Sequence, residues 1–161
     1  MGFAKAFGFS LLAYVGLNFL FMIIKSTIDA TLNYLFAAIA ANPLILLTVL
    51  FGAIIEPPYV VIEGIYLVIT TPPLDAASLI LLIGYLISGL VASIIAGKFG
   101  ETKGGSFGGW FTTSIVSAVV IIIMLIVIDA LILIPAAIIA GLVNGIFYSC
   151  FALLFTKTEY Y

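Results

Sequence analysis

Residues 76–128 read AASLILLIGYLISGLVASIIAG, then KFGETKGG, then SFGGWFTTSIVSAVVIIIMLIVI, from Ala76 to Ile128. Two uncharged runs, Ala76–Gly97 and Gly104–Ile128, flank the turn Lys98-Phe99-Gly100-Glu101-Thr102-Lys103. A bilayer core about 30 Å thick takes roughly 20 helical residues to cross. Each run is longer than that, so the pair predicts a transmembrane hairpin over 76–97 and 106–128. Two of the chain's five basic residues sit in its turn, which becomes the reference for the topology.

Working outward, the same reading extends to most of the chain. Ala6–Ile24 is uncharged and ends at Lys25. It lacks the short apolar core and small-residue cleavage site of a leader peptide, so it is read as a retained span over 6–24. A span over 34–55 follows, interrupted by Asn42-Pro43, where proline predicts a kink or a new helix start. The last uncharged run, after Asp129, gives a span over 132–155, with Pro135 at the start of the helix proper. Lys157-Thr158-Glu159-Tyr160-Tyr161 reads as an interfacial tail, its tyrosines suited to the headgroup zone.

The segment between Glu56-Pro57-Pro58 and Pro72-Pro73-Leu74-Asp75 differs. Its proline pairs bracket a helix over 57–71, too short for the hydrocarbon thickness. Tyr59, Glu63, Tyr66 and Thr70 share one face of it, with Val, Ile and Leu on the other. Such a helix lies along the interface or forms a short sixth crossing.

The fold class expected is therefore an all-α integral membrane protein: a single polytopic domain over 1–161, with five transmembrane helices, or six if 57–71 crosses. Composition agrees. The chain is 65% hydrophobic and 7% charged, against about 25% charged in a soluble domain. A multi-pass protein of the cell membrane is the expected location, with the lipid bilayer as its first partner.

Lysine bias orients such a chain. With the Lys98/Lys103 turn inside, Lys157 is inside and Asp75 and Asp129 are outside. Five spans put Lys25 inside and Lys5 outside; six reverse the two. Both arrangements place four lysines inside and one outside, so lysine counting does not separate them. Helix length favours five.

Apolar side chains give helices little reason to associate in lipid; close approach through small residues supplies the packing. One row is Gly84, Ser88, Ala92 and Ala96, flanked by Gly89, Ser93 and Gly97. A second is Gly109, Thr113 and Ser117. A third, Ala137, Gly141, Gly145 and Ser149, contains a Gly-x-x-x-Gly pair. These three helices are expected to form the tight core. They offer more small faces than one seam needs, which points to other membrane subunits or self-association.

Several chemistries are disfavoured. The chain has no His, and its five basic residues are all lysine. Without arginine there is no bidentate clamp for phosphate or carboxylate. Without histidine the usual general base and commonest metal ligand are missing. One cysteine, Cys150, allows no intrachain disulfide and no Cys-rich metal site. A net charge of −2 argues against nucleic acid. No nucleophile–base–orienter set can be assembled. The Lys98–Gly105 turn lacks the order of a phosphate loop. No enzyme, catalytic residue, metal or cofactor is expected.

The remaining candidates are few. Glu63, with Tyr59 and Tyr66, is an ion or proton site if the 57–71 helix lies at membrane depth, and an ordinary headgroup carboxylate if it lies at the interface. Glu56 either lines a cavity opened by the Pro57-Pro58 break or caps the following helix. Asp75 is placed as an N-cap, and Asp29 and Asp129 at helix ends in water. Asn18, Asn42 and Asn144 are buried-looking amides suited to interhelical hydrogen bonds or a solute. Trp110 and Phe107 are read as interface markers. The leading functional expectation is a non-catalytic accessory or structural subunit of a larger membrane assembly. One alternative is a small oligomeric channel or transporter for a proton, cation or small solute, using Glu63. A membrane-shaping or viral-envelope protein is a third.

Overall fold

The computed structural model describes residues 2–156, so the expected tail at 157–161 lies outside the described residues. Among these residues the chain is helical throughout, with no strand. In order it forms α1 (Gly2–Ile28), α2 (Leu32–Ala41), α3 (Leu44–Phe51) running into a 3-10 turn (Gly52–Ile55), α4 (Pro58–Thr70), α5 (Ala76–Phe99), α6 (Lys103–Val127), a 3-10 turn (Leu131–Leu133) and α7 (Ile134–Leu154). Four helical stretches are long and apolar enough to cross a membrane: α1, α5, α6, and α7 with its leading turn.

The expected hairpin is present as α5 and α6. Asp75 caps α5, accepting the Ser78 amide on Oδ1 at 3.0 Å. Thr102 caps α6 by accepting the Gly105 amide at 3.0 Å. Hydrogen bonds from Ser78 to the ionised form hold the Asp75 carboxyl below the usual carboxylate range. A lowered folded-state value means that this cap stabilises at neutral pH and is lost as pH falls through that value. Asp75→Ala is accordingly expected to speed amide exchange at Ala76–Ser78 near pH 7, with the difference from wild type closing in acid.

The second expected span is corrected. Instead of one bent helix over 34–55, the chain makes two short ones, α2 and α3, neither long enough to cross. Asn42 precedes Pro43, and a residue before proline is pushed out of helical geometry. Asn42 accordingly lies extended at φ −141°, ψ 98°, so the helix stops rather than bends. The Asn42 side chain serves this break locally, its Oδ1 accepting the Leu44 amide at 3.1 Å.

The two ends of the bundle are defined by contacts. Gly2 abuts Gly100, Lys5 pairs with Glu101 at 3.4 Å, and Gly97 lies against Ala152 and Phe155. The start of α1, the α5–α6 turn and the close of α7 therefore share one end, which carries Lys5, Lys98 and Lys103. At the other end, Lys25 pairs with Asp29 at 2.6 Å and lies near enough to Asp75 to act on its charge. The chain leaves α1 and enters α5 at this same end. The five-span arrangement, which separates Lys5 from Lys98, does not fit this geometry.

Each of the small residues in the three rows is buried. A Cβ on Gly89 would meet the Tyr148 ring at 2.6 Å, and one on Gly141 would meet Ala118 at 2.6 Å. Hydroxyls add hydrogen bonds across these seams: Ser114 donates to the Gly141 carbonyl at 2.7 Å and Ser106 to that of Gly97 at 3.2 Å. The core is wider than the three expected helices. α1 buries its own row, Gly2, Ala6, Ser10, Tyr14 and Asn18, against α5 and α6, with Ser10 and Thr113 hydroxyls 2.7 Å apart. Trp110 corrects the reading as an interface marker. It is 0% exposed, edge-on to both Tyr14 and Tyr148. It lies two turns inside α6, on the face turned to α1 and α7.

Candidate functional site: the helix break at residues 50–58

Between α3 and α4 the helix breaks and turns by 98°. The sequence Glu56-Pro57-Pro58 dictates the break. Glu56 and Pro57 both precede a proline and are confined to extended geometry; they lie at φ −105°, ψ 95° and φ −60°, ψ 150°. Proline also supplies no amide hydrogen. The carbonyl of Ile54 would ordinarily receive the amide four residues on, and that residue is Pro58. Just before the break the change to 3-10 register frees further carbonyls.

Two asparagines from the long helices supply the missing donors. Asn144 Nδ2, from α7, donates to the Ile54 carbonyl at 2.7 Å and to that of Glu56 at 3.3 Å. Asn18 Nδ2, from α1, donates to the Leu50 carbonyl at 2.9 Å. Trp110 Nε1 donates to the Asn144 carbonyl at 3.1 Å, tying α7 to α6 at the same level. Asn144 stands at the middle of α7, about 15 Å from either end at 1.5 Å per residue. The irregular backbone is thus held at mid-depth in the bundle, with Gly52, Ala53 and Ile54 buried and Glu56 half-buried. Backbone at membrane depth leaves helical geometry where it is buried in protein or lines a water-filled cavity.

Glu56 stands at the turn itself. It lines two cavities. One, of ≈ 430 Å³, is bounded by Met22, Leu35, Thr48, Gly52 and Tyr85. The other, of ≈ 340 Å³, is bounded by Tyr59, Val60, Ala136 and Ile139. Its side chain makes no cap: the residue at the N-cap is Pro57, and no side chain caps α4. No salt bridge or side-chain hydrogen bond engages the Glu56 carboxylate among the described residues.

The four residues picked out by sequence are not gathered in one place. Glu56 and Tyr59 share the second cavity. Glu63 and Tyr66 are exposed on the outer face of α4 and line neither cavity. The helix turns this face outward because Pro58 and Val61 are buried and Gly64 lies against Leu82 of α5. Tyr85 was not singled out by sequence, since a lone tyrosine in an apolar run carries no signal of its own. The four-residue spacing Gly2, Ala6, Ser10, Tyr14, Asn18 was readable and marks the buried face of α1. No group of three or more Cys, Asp or Glu side chains comes together to hold a metal among the described residues. Comparison with known protein families, with curated proteins and with solved structures finds no match for this chain.

Proposed function

We propose that this chain is a small membrane protein that passes a proton or small cation across the bilayer, with Glu56 as the group that takes up the charge. The observation that supports this is the position of Glu56: a carboxylate without a partner among the described residues, at mid-depth, on a broken helix, between two cavities. Ionisable groups at membrane depth are costly and mark ion and proton paths. Broken helices near the midplane are where membrane transporters build their sites. In this reading the chain crosses four times, through α1, α5, α6 and α7. Residues 29–75 enter from the aspartate end, turn at Glu56 and return. The lysine end faces the cytoplasm by lysine bias.

The reading as an accessory subunit has less support. It rested on surplus small faces, and Gly84, Gly89, Gly97, Gly109, Gly141 and Gly145 are each covered by this chain's own residues. The experiment is a flux measurement in vesicles containing the purified protein, with an imposed membrane potential and a pH-sensitive dye. Wild type is expected to leak protons, Na⁺ or K⁺ well above empty vesicles. Glu56→Gln is expected to cut that flux on the order of 100-fold, the scale of losing a positioned proton-transfer group, while Glu63→Gln leaves it near wild type. Wild-type vesicles no leakier than empty ones to all three ions would overturn the proposal.

A further inference from the structure

Three oxygens near the break are buried without a hydrogen-bond partner among the described residues: Tyr14 Oη, Asn18 Oδ1 and Ser88 Oγ. Native proteins pair almost all buried polar atoms, with protein or with ordered water. Unpaired buried oxygens of this kind point to an unseen hydrogen-bonding partner.

The packing places them together. α1 and α5 run antiparallel, with Phe21 over Gly84 and Phe9 against Phe99, ring centres 4.7 Å apart. Ser88 is one turn beyond Gly84 on the same face, which sets it level with the Tyr14–Asn18 turn of α1. Asn18 uses Nδ2 on the Leu50 carbonyl, so its Oδ1 remains to accept. Tyr14 Oη stands beside the Asn18 amide, but the two lack the geometry of a direct hydrogen bond. Tyr85, one turn before Gly89 on α5, lies within electrostatic reach of Tyr14 on one side and of Glu56 on the other. It also lines the larger Glu56 cavity.

We propose that Tyr14, Asn18 and Ser88 hold a water molecule between α1 and α5, extending the Glu56–Tyr85 cavity into the bundle, and that the permeant is the proton. The site matches water in kind. Two hydroxyls donate to its oxygen, and the amide oxygen accepts one of its hydrogens. Hard metal cations such as Ca²⁺ prefer about six or more oxygens, with carboxylates among them, and here there are three neutral ones. In the transfer, the Glu56 carboxylate takes a proton from one side. It releases that proton to the adjoining water and hydroxyl chain and returns to the carboxylate. The water and each hydroxyl give up one proton and receive one, the last passing its proton to water on the other side, so no group changes its net state. Asn18 Oδ1 only accepts a hydrogen bond and carries no proton.

This inference rests on the proposed function for its permeant, but the water site is tested separately. The first arm is radiolytic hydroxyl labelling in ¹⁸O-water on the purified wild-type protein. Tyr14 is expected to take up label despite its burial, and Ser88→Ala to lose it. An unlabelled Tyr14 in wild type overturns the water site whether or not the protein conducts. The second arm is vesicle flux with Tyr14→Phe, Ser88→Ala and both together. The double variant is expected to lose proton flux on the order of 100-fold and to unfold slightly below wild type, because the water's hydrogen bonds are lost and Asn18 Oδ1 is left unpaired. Wild-type proton flux in the double variant, or Na⁺ or K⁺ flux equal to that of protons, overturns the relay. Wild type without any flux would instead sink the parent reading.

Discussion

Replacing Gly109 by leucine is expected to prise α1 from α6 and give the largest loss of stability of any single change considered. A Cβ on Gly109 would stand 2.5 Å from Ala6 Cβ, 3.1 Å from the Ala6 carbonyl carbon and 3.2 Å from the Phe7 nitrogen. Two of those atoms are backbone and cannot rotate away. Even alanine forces the two helices apart, and leucine forces them further. Overpacking of this kind costs about 1–3 kcal/mol and sometimes more. The separation also breaks the Ser10–Thr113 contact, one turn along, which spans only 2.7 Å. Leucine is therefore expected to lower stability by about 3 kcal/mol or more, and alanine by about 1–2 kcal/mol. Gly8 on the same helix is the matched control. No atom lies within 4 Å of a Cβ built there, and alanine in a helix interior is favoured over glycine by about 1 kcal/mol. Gly8→Ala is expected to be neutral or stabilising. The measurement is the midpoint of thermal or SDS-induced unfolding in mild detergent. Gly109→Leu with a wild-type midpoint would show that α1 is not seated against α6 as described.

Asn144→Leu carries the second-largest expected effect, and it acts on the site rather than on a seam. Leucine has the same number and branching of side-chain heavy atoms as asparagine, though its methyl groups are bulkier than the planar amide, so some crowding adds to the loss. What disappears is the single amide that serves both the Ile54 and Glu56 carbonyls. A buried polar group left unpaired costs about 1–3 kcal/mol, and two are stranded here. Double-mutant cycles in membrane proteins average lower, about 0.6 kcal/mol per bond, because the reference state finds other partners. The expected loss is therefore about 2 kcal/mol in all, concentrated at the break. Hydrogen exchange at residues 51–56 should rise several-fold, with α5 and α6 protected as before. Asn18→Leu strands one carbonyl, that of Leu50, and is expected to do roughly half as much. Unchanged exchange at the break in Asn144→Leu would mean that Asn144 does not hold these carbonyls.

Much of the helical architecture was readable before any coordinates. Uncharged runs about as long as the bilayer core requires, or longer, mark α1, α5, α6 and α7, because such a run gives a helix no polar face to turn to water. Pro57-Pro58 and Pro72-Pro73 bracket α4, because proline constrains its own backbone and that of the residue before it. At Asn42-Pro43 the sequence left a kink or a new helix start open; the chain takes the new start, which divides the span expected over 34–55 into α2 and α3. The small-residue rows were legible because four-residue spacing marks one face of a helix.

What the tertiary structure decided is which faces meet. Glu56 and Glu63 are both acids on or beside a short helix, and nothing local ranks them. Burial of Pro58 and Val61, with Gly64 against Leu82, turns Glu63 outward and leaves Glu56 between the cavities. Counting lysines likewise leaves the path of residues 29–75 open, since two arrangements score alike. Only the antiparallel seating of α1 on α5 brings Lys5 to the end that carries Lys98 and Lys103, and so returns the chain to the end it left. Local sequence sets where a helix starts and stops through backbone geometry; which of its sides is inside depends on partners distant along the chain, and that information is present only once they pack.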